Sequence, residues 1–259
     1  MQIRRINILG MGNVAYHLTR GFSQLDSVQQ LSVWGRTAKN DSLFSTISDS
    51  VRIIHDISKL PDADLHIIAV QDDAISTVFN SLHHRQNIIV HTSGSVAHTI
   101  LTGSEHFGVF YPLQTFSIHK QVDWTGIPIF IEASDPETRE SLNKLAEKLS
   151  GYFIQADDAQ RRSLHIAAVF ANNFSNHMMA LAQQWLEKYH LPFQVLTPLI
   201  RETITKLDQL TPHQAQTGPA RRHDSEVIRT HLSILSNDPQ LQEIYKKISA
   251  SIEAMYPLE

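Results

Sequence analysis

The sequence predicts an α/β fold with a mostly parallel sheet and helices on both faces, followed by an all-α domain. Two observations support this prediction. Over residues 1–155, short apolar runs alternate with helix-length segments, which is typical of βαβ units. Beyond residue 155, apolar residues recur at helical spacing in long segments interrupted by proline, and Gly218 is the sole glycine. We therefore expect two domains, residues 1–155 and 156–259.

Eight short apolar runs are the expected strands. They cover residues 5–9, 31–34, 51–54, 65–70, 87–91, 108–111, 127–131 and 152–155. Between them, Val14, Leu18 and Phe22 have the spacing of a helix face. The first long helix of the second domain is predicted over residues 158–189, roughly 45 Å in length, with Asp157 and Asp158 as candidate N-caps.

Composition excludes several classes of function. The 259 residues contain no cysteine, which excludes a disulfide framework, a thiolate metal site and a cysteine nucleophile. The net charge of -4, without a stripe of Lys or Arg, argues against a nucleic-acid partner. The 15 histidines are scattered and form no H-E-x-x-H motif, so no metal site is predicted.

No membrane contact is expected either. The longest stretch without charged residues, 163–185, contains polar side chains that are costly in hydrocarbon, so a buried helix is expected there. No secretory signal is visible at the N-terminus, and the expected location is the cytoplasm.

The first predicted helix begins in a glycine-rich turn. Strand 5–9 is followed directly by G-x-G-x-x-A, in the order of strand, turn and helix that dinucleotide-binding folds use. The motif consists of Gly10, Met11, Gly12, Asn13, Val14 and Ala15. Gly10 allows a tight turn, Gly12 lets the backbone approach a pyrophosphate, and Ala15 lets the helix pack close to the strand. We expect a Rossmann-like nucleotide domain, the alternative being a tight turn without a ligand.

The end of the second strand distinguishes NADP from NAD. NAD enzymes usually place an acid there for the ribose 2′-hydroxyl, whereas NADP enzymes place an arginine near the 2′-phosphate. This chain has Arg36, Thr37 and Lys39 and no acid. Arg36 can bind phosphate oxygens through two N–H groups, and Thr37 can donate a hydrogen bond. NADP is therefore predicted over NAD, the alternative being a solvated arginine in a surface turn.

These motifs resemble a known superfamily. The glycine turn, the turn at 34–37 and the strand end at 68–75 are similar to those of 6-phosphogluconate dehydrogenases, pyrroline-5-carboxylate reductases and prephenate dehydrogenases. Four further segments resemble a bacterial family that joins a Rossmann-like NADP oxidoreductase domain to a helical domain of unknown function; they are residues 91–95, 111–116, 164–168 and 216–224. The resemblance spans essentially the whole chain. It implies a helical domain that commonly dimerises, so a homodimer is expected.

The resemblance also implies a place for the substrate. In the superfamily the strand-end turns lie along the nicotinamide, so Val70 and Gln71 are its implied neighbours. Ser93, with Gly94, can present a hydroxyl and backbone amides to a substrate, although a hydroxyl that only stabilises the turn is the alternative. Tyr111 stands where prephenate dehydrogenases have histidine, which argues against the prephenate reaction.

The long helix carries the candidate acid or base. His165, Asn172 and Asn176 lie at i, i+7 and i+11, so they are expected on one face. Hydroxyacid dehydrogenases of the superfamily have a catalytic lysine in this helix, but no lysine occurs over residues 163–185. Imidazole, with an ordinary pKa of about 6.5, suits proton transfer. We predict His165 as proton donor or substrate orienter with Asn172 as its hydrogen-bonding companion; a packed core histidine is the alternative.

A second candidate lies in the loop that enters a later helix. Pro219 fits a first helical turn, and Arg221 or Arg222, which follow it closely, can bind a substrate carboxylate or phosphate through two N–H groups. The alternative is a salt bridge from these arginines to Asp224 or Glu226.

The sequence as a whole predicts an NADP-dependent oxidoreductase. It would transfer a hydride between nicotinamide and a small carbonyl, hydroxy or imine substrate in the cleft between the domains, with the cofactor supplying the redox chemistry. Because the lysine of the superfamily is missing, a non-catalytic NADP-binding sensor or regulatory protein remains the alternative.

Overall fold

In the computed structural model, which describes residues 2–83 and 86–258, eight strands form one sheet. The strands are β1 (Arg5–Leu9), β2 (Gln30–Trp34), β3 (Val51–Ile54), β4 (Leu65–Ile68), β5 (Ile88–His91), β6 (His106–Pro112), β7 (Ile129–Ala133) and β8 (Phe153–Gln155). Neighbouring strands pair in parallel, except that β6 and β7 are antiparallel. The mostly parallel sheet is confirmed, and each predicted apolar run overlaps one strand.

The strand order creates a crevice at one edge of the sheet. The order is β3-β2-β1-β4-β5-β6-β7-β8, so the chain adds β2 and β3 on one side of β1 and then returns to place β4 on the other side. Ligands of open α/β sheets bind at such a reversal, beyond the carboxyl ends of the strands. The ends of β1, β4, β5 and β6 all lie at this edge because these strands are parallel.

The described residues form ten α-helices. They are α1 (Asn13–Phe22), α2 (Asp41–Ser45), α3 (Ile75–Asn80), α4 (Pro136–Ser150), α5 (Asp158–Ala168), α6 (Ser175–Glu187), α7 (Thr197–Thr205), α8 (Pro212–Ala215), α9 (Ser225–Ile234) and α10 (Pro239–Met255). Strand side chains alternate between two apolar clusters: Ile67 of β4 belongs to the cluster that includes α1 and α4, and Ile68 to the one that includes α3. Helices therefore cover both faces of the sheet, as predicted.

The predicted helix over residues 158–189 differs from expectation in two respects. Asp157 caps it, accepting from the backbone N–H of Gln160, but α5 and α6 are joined by a π-helical turn, Val169–Phe174. Asn172 lies within this wider turn, so the regular α-helical spacing on which its predicted shared face with His165 was based ends at Ala168. The helix is also not buried within the single chain: Asn172 is exposed, and Ile166 and Phe170 are at least 60% exposed.

The chain divides into two compact units, residues Met1–Asn172 and Asn173–Glu259. The first unit holds the sheet together with α5, and the second consists of helices. Among the described residues of the second unit, four are buried, namely Ala220, Leu235, Ser249 and Tyr256. Of the helices that the structure describes, none combines the length and apolar character needed to cross a membrane.

Candidate functional site

The glycine turn lies in the crevice between β2 and β4. The backbone N–H of Gly10 donates to the carbonyl of Trp34 at 2.8 Å, and Gly10 has a φ of +133°, which strongly favours glycine. A Cβ atom at Gly10 would lie 2.2 Å from the carbonyl oxygen of Ala69, next to the end of β4. Glycine is thus the residue that fits between the two strand ends.

The first turn of α1 is open to a ligand. Gly12 is the N-cap and provides no side-chain cap, and a Cβ placed on it would meet no atom within 4 Å. The first N–H groups of a helix need partners, and a phosphate can supply them at the positive end of the helix dipole. Ala15 is buried against the sheet, and the Asn13 side chain donates to the carbonyl of Phe116 at 3.0 Å. The turn therefore fits a pyrophosphate.

A cavity of about 460 Å³ extends from this turn along the end of β2. Its lining residues are Gly10, Met11, Trp34, Gly35, Arg36, Thr37, Lys39, Asn40 and Val70. Arg36, Thr37 and Lys39 are exposed at its rim, and within residues 2–83 and 86–258 no ion pair joins Arg36 to an acid. These side chains fit the charge of a 2′-phosphate.

Two contacts hold the rim of this cavity. The Asn40 side chain donates to the carbonyl of Met11 at 2.7 Å, so the turn after β2 is tied to the glycine turn. The Met11 side chain packs against Gly35, where an added Cβ would lie 2.2 Å from Sδ. Asn40 could not be identified from the sequence, because its hydrogen-bond partner lies 29 positions away.

Val70 and Gln71, the predicted neighbours of the nicotinamide, lie in the turn after β4. Val70 is half-buried and lines the cavity, whereas Gln71 is exposed. Asp72 follows at the start of a short 3-10 turn, Asp72–Ala74.

The turn after β5 is held by its own side chains. The Ser93 hydroxyl accepts from the backbone N–H groups of Ser95 and Val96, both at 3.0 Å. The backbone N–H of Ser93 donates to Nδ1 of His91 at 3.1 Å. Ser93 therefore stabilises the turn, which is the role that the sequence offered as its alternative. Burial, together with the positive charge of Arg161, lowers the pKa of His91 to about 4.

Tyr111, His165 and Gly94 lie in contact with one another. The Tyr111 hydroxyl, at the end of β6, and Nδ1 of His165, on α5, lie 3.1 Å apart. Gly94 packs against both, since a Cβ on it would lie 2.7 Å from Nδ1 of His165 and 2.9 Å from Cζ of Tyr111. Burial raises the pKa of the Tyr111 hydroxyl, Arg161 opposes this shift, and Asp72 adds to it. The pair combines a hydroxyl and an imidazole, two groups that can each donate or accept a proton.

Arg161 is a residue of this region that the sequence did not reveal. It is fully buried on α5, and its guanidinium donates to Glu132 and Asp158. Ligand atoms of His98, Glu132 and Asp158 lie within 4.8 Å of one another, a spacing that also suits a metal ion. The guanidinium already bridges the two carboxylates, however, and this bridge explains the cluster without a metal.

The remaining two predicted residues, Asn172 and Arg221, have surroundings of their own. Asn172 lies in the π-helical turn and is exposed. Arg221 belongs to the second unit, where its guanidinium lies over the ring of Tyr256 at 4.3 Å from the centroid. Asp224, its predicted alternative partner, caps α9 by accepting from the backbone N–H of Val227.

The fold and the glycine turn define a Rossmann-like dinucleotide-binding protein with an added helical unit. A domain of unknown function, DUF2520, matches residues 127–252. The chain is 38% identical to a Bacteroides fragilis protein provisionally named an NADP oxidoreductase, covering 97% of this chain and 98% of that one with a TM-score of 0.91. At this identity and coverage, the chain belongs to the same Rossmann-like, NADP oxidoreductase-type family.

More distant structures share the fold. A Thermotoga maritima protein has a TM-score of 0.72 at 18% identity, over 97% of this chain and 98% of that one. The Plasmodium falciparum pyrroline carboxylate reductase, whose structure has NADP bound, has a TM-score of 0.62 at 12% identity, over 99% of this chain and all of that one (100%). None of the curated proteins matches the chain.

Proposed function

We propose that this protein is an NADP-dependent oxidoreductase that transfers a hydride between nicotinamide and a small carbonyl, hydroxy or imine substrate. One observation carries the proposal: the Tyr111–His165 pair lies at the end of β6, at the same sheet edge as the open glycine turn after β1. A nucleotide with its phosphates at Gly12 and its nicotinamide near Val70 would bring the reacting carbon towards the end of β5.

Residues of the first unit would transfer the proton and orient the reacting groups. When bound, the cofactor supplies or accepts the hydride. His165 donates a proton to the substrate oxygen or nitrogen, or removes it in the reverse direction, and the Tyr111 hydroxyl orients its ring. The turn at Ser93 and Gly94 shapes the substrate side.

Two further roles extend this proposal. Asn172 is proposed as a polar companion of His165, and Arg221 as the group that binds a substrate carboxylate or phosphate. The exposure of both side chains in the single chain is compatible with ligand contact. Loss of either side chain is expected to raise KM for the substrate and leave the affinity for NADPH unchanged.

The test combines binding and turnover. NADPH and NADH are titrated by fluorescence, and NADPH consumption is then followed over a panel of keto acids, imines and flavin-type acceptors. We expect tighter binding of NADPH than of NADH, and turnover with at least one acceptor that is lowered by about a hundredfold or more, but still measurable, in His165→Ala. Tight NADPH binding without turnover on the whole panel would instead favour a sensor or regulatory protein.

We also propose that the protein is a homodimer. Large apolar side chains are exposed along the second half of the chain, among them Ile166, Phe170, Leu199 and Ile204, each at least 60% exposed. The helical unit also encloses an apolar groove of about 640 Å³ between α6, α9 and α10. Monomers rarely leave so much apolar surface in water. Light scattering should give twice the chain mass, and Phe170→Glu should shift the protein towards the monomer.

A further inference from the structure

Arg161 is the largest fully buried side chain of the described residues, with a relative exposure of 0%. A buried guanidinium is costly unless charged or polar partners surround it. Packing alone therefore does not explain why a buried arginine lies in α5, one helical turn before His165.

The guanidinium joins three separate parts of the first unit. Its two terminal nitrogens donate to Glu132 on β7, to Asp158 at the start of α5, and to the carbonyl of Val96 in the turn after β5, each at 2.5 Å. His98 contacts the same two carboxylates. Its backbone N–H donates to Asp158 at 3.0 Å, and its Nδ1 lies 3.1 Å from Glu132.

These contacts determine how close α5 comes to the turn after β5. The backbone N–H of Val96 donates to the Ser93 hydroxyl, so the carbonyl that Arg161 holds belongs to the turn that contains Gly94. His165 lies four residues after Arg161, on the same side of the helix. Gly94 is pressed against His165 so closely that an added Cβ would lie 2.7 Å from its Nδ1.

We propose that Arg161 is a positioning residue for the Tyr111–His165 pair: by holding Glu132, Asp158 and the Val96 carbonyl together, it sets the place and orientation of the His165 ring. This inference rests on the proposed function only where turnover is concerned. Lysine cannot replace the guanidinium, because an ammonium lacks the planar fork that reaches three acceptors in fixed directions.

The charge of Arg161 also acts on this pair, because it changes the pKa of the Tyr111 hydroxyl. Burial raises the pKa of the Tyr111 hydroxyl, the positive charge of Arg161 opposes that shift, and the negative charge of Asp72 in the turn after β4 adds to it. Arg161 therefore keeps the hydroxyl closer to its ordinary acidity.

The experiment compares Arg161→Lys with Arg162→Lys, an exposed neighbour on the same helix. The first readout is the NMR spectrum of ¹⁵N-labelled histidine rings in the intact protein, with the His165 signals assigned through their loss in His165→Ala. We expect Arg161→Lys to shift the His165 ring signals and alter its tautomer ratio, while Arg162→Lys leaves them at their wild-type positions. NADPH affinity should be unchanged in both. Wild-type His165 signals in Arg161→Lys would overturn the proposal.

The second readout is turnover with an accepted substrate. A misplacement of about 1 Å can cost roughly a hundredfold in rate, so we expect Arg161→Lys to lower kcat by about ten- to a hundredfold with KM for NADPH unchanged. In the His165→Ala background the same substitution should have little further effect. Equal effects with and without His165 would overturn the positioning role. Absence of turnover in the wild type would defeat the proposed function alone, since the NMR comparison does not depend on it.

Glu132→Gln covers the case in which Arg161→Lys does not fold. It keeps the shape of the side chain and leaves Asp158 to pair with the buried cation. The His165 ring signals should move in this variant as well, by less than in Arg161→Lys, and a folded Glu132→Gln protein with unchanged His165 signals would contradict the proposal.

Discussion

The hydroxyl of Tyr111 lies 3.1 Å from Nδ1 of His165, although 54 positions separate the two residues. Each comes from a different type of element, Tyr111 from the end of a strand and His165 from a helix that packs beside the sheet. Because the contact requires that Gly94 lack a Cβ, three distant parts of the chain are adapted to one another.

Tyr111→Phe removes the hydroxyl and keeps the ring. We expect turnover to fall by about tenfold or more, because the His165 ring loses the hydrogen bond that orients it for proton transfer. NADPH affinity should not change, since Tyr111 lies outside the cavity that the glycine turn lines. Steady-state kinetics with a fluorescence titration provide the measurement. Tyr152→Phe, which alters a half-exposed ring elsewhere, is the control, and equal turnover in both variants would rule out a role for Tyr111.

Gly10 and Gly12 should respond differently to the same substitution. Gly10→Ala is expected to lower the free energy of unfolding by about 2–4 kcal/mol, because the residue has a positive φ and the new Cβ would clash with the Ala69 carbonyl. Gly12→Ala meets no atom and should leave stability within about 0.5 kcal/mol, yet it should weaken NADPH binding by blocking the pyrophosphate. Urea denaturation and NADPH titration of both variants test this. Unimpaired NADPH binding by Gly12→Ala would show that the phosphates bind elsewhere.

Arg36→Ser tests the preference for NADP. A charged hydrogen bond to the 2′-phosphate contributes roughly 1.5–3 kcal/mol, so we expect NADPH affinity to fall about ten- to a hundredfold and NADH affinity to change little. The ratio of the two dissociation constants is the quantity to measure. Arg52→Ser, at an exposed position of β3, removes the same charge outside the cavity and should leave that ratio unaltered. A parallel loss of affinity for both nucleotides would mean that Arg36 does not recognise the 2′-phosphate.

Features encoded by neighbouring residues could be predicted from the sequence. The glycine turn and all eight strands depend on patterns within about ten residues, and the structure contains them. Arg161 could not be identified in this way, because its burial depends on Val96 and Glu132, which lie 65 and 29 positions away. The π-helical turn that contains Asn172 also escaped prediction, since an uninterrupted apolar pattern is equally compatible with an α-helix.

His91 should make stability depend on pH between about 4 and 6.5. Burial lowers its pKa to about 4 in the folded protein, whereas an unfolded chain protonates histidine near its ordinary value of about 6.5. Between these values the unfolded state binds more protons, so acidification favours unfolding. The free energy of unfolding should therefore fall by about 3 kcal/mol from this residue as the pH decreases from 7 to 4.

His91→Asn isolates this contribution. Asparagine can still accept from the backbone N–H two residues later, as His91 does from Ser93, but it does not titrate. Urea denaturation at pH 7, 5.5 and 4 should show a shallower loss of stability in His91→Asn than in the wild type. His119→Asn, which removes an exposed histidine, should retain the wild-type slope. Parallel stability curves for the wild type and His91→Asn would mean that His91 becomes protonated without unfolding, and that the turn after β5 tolerates its charge.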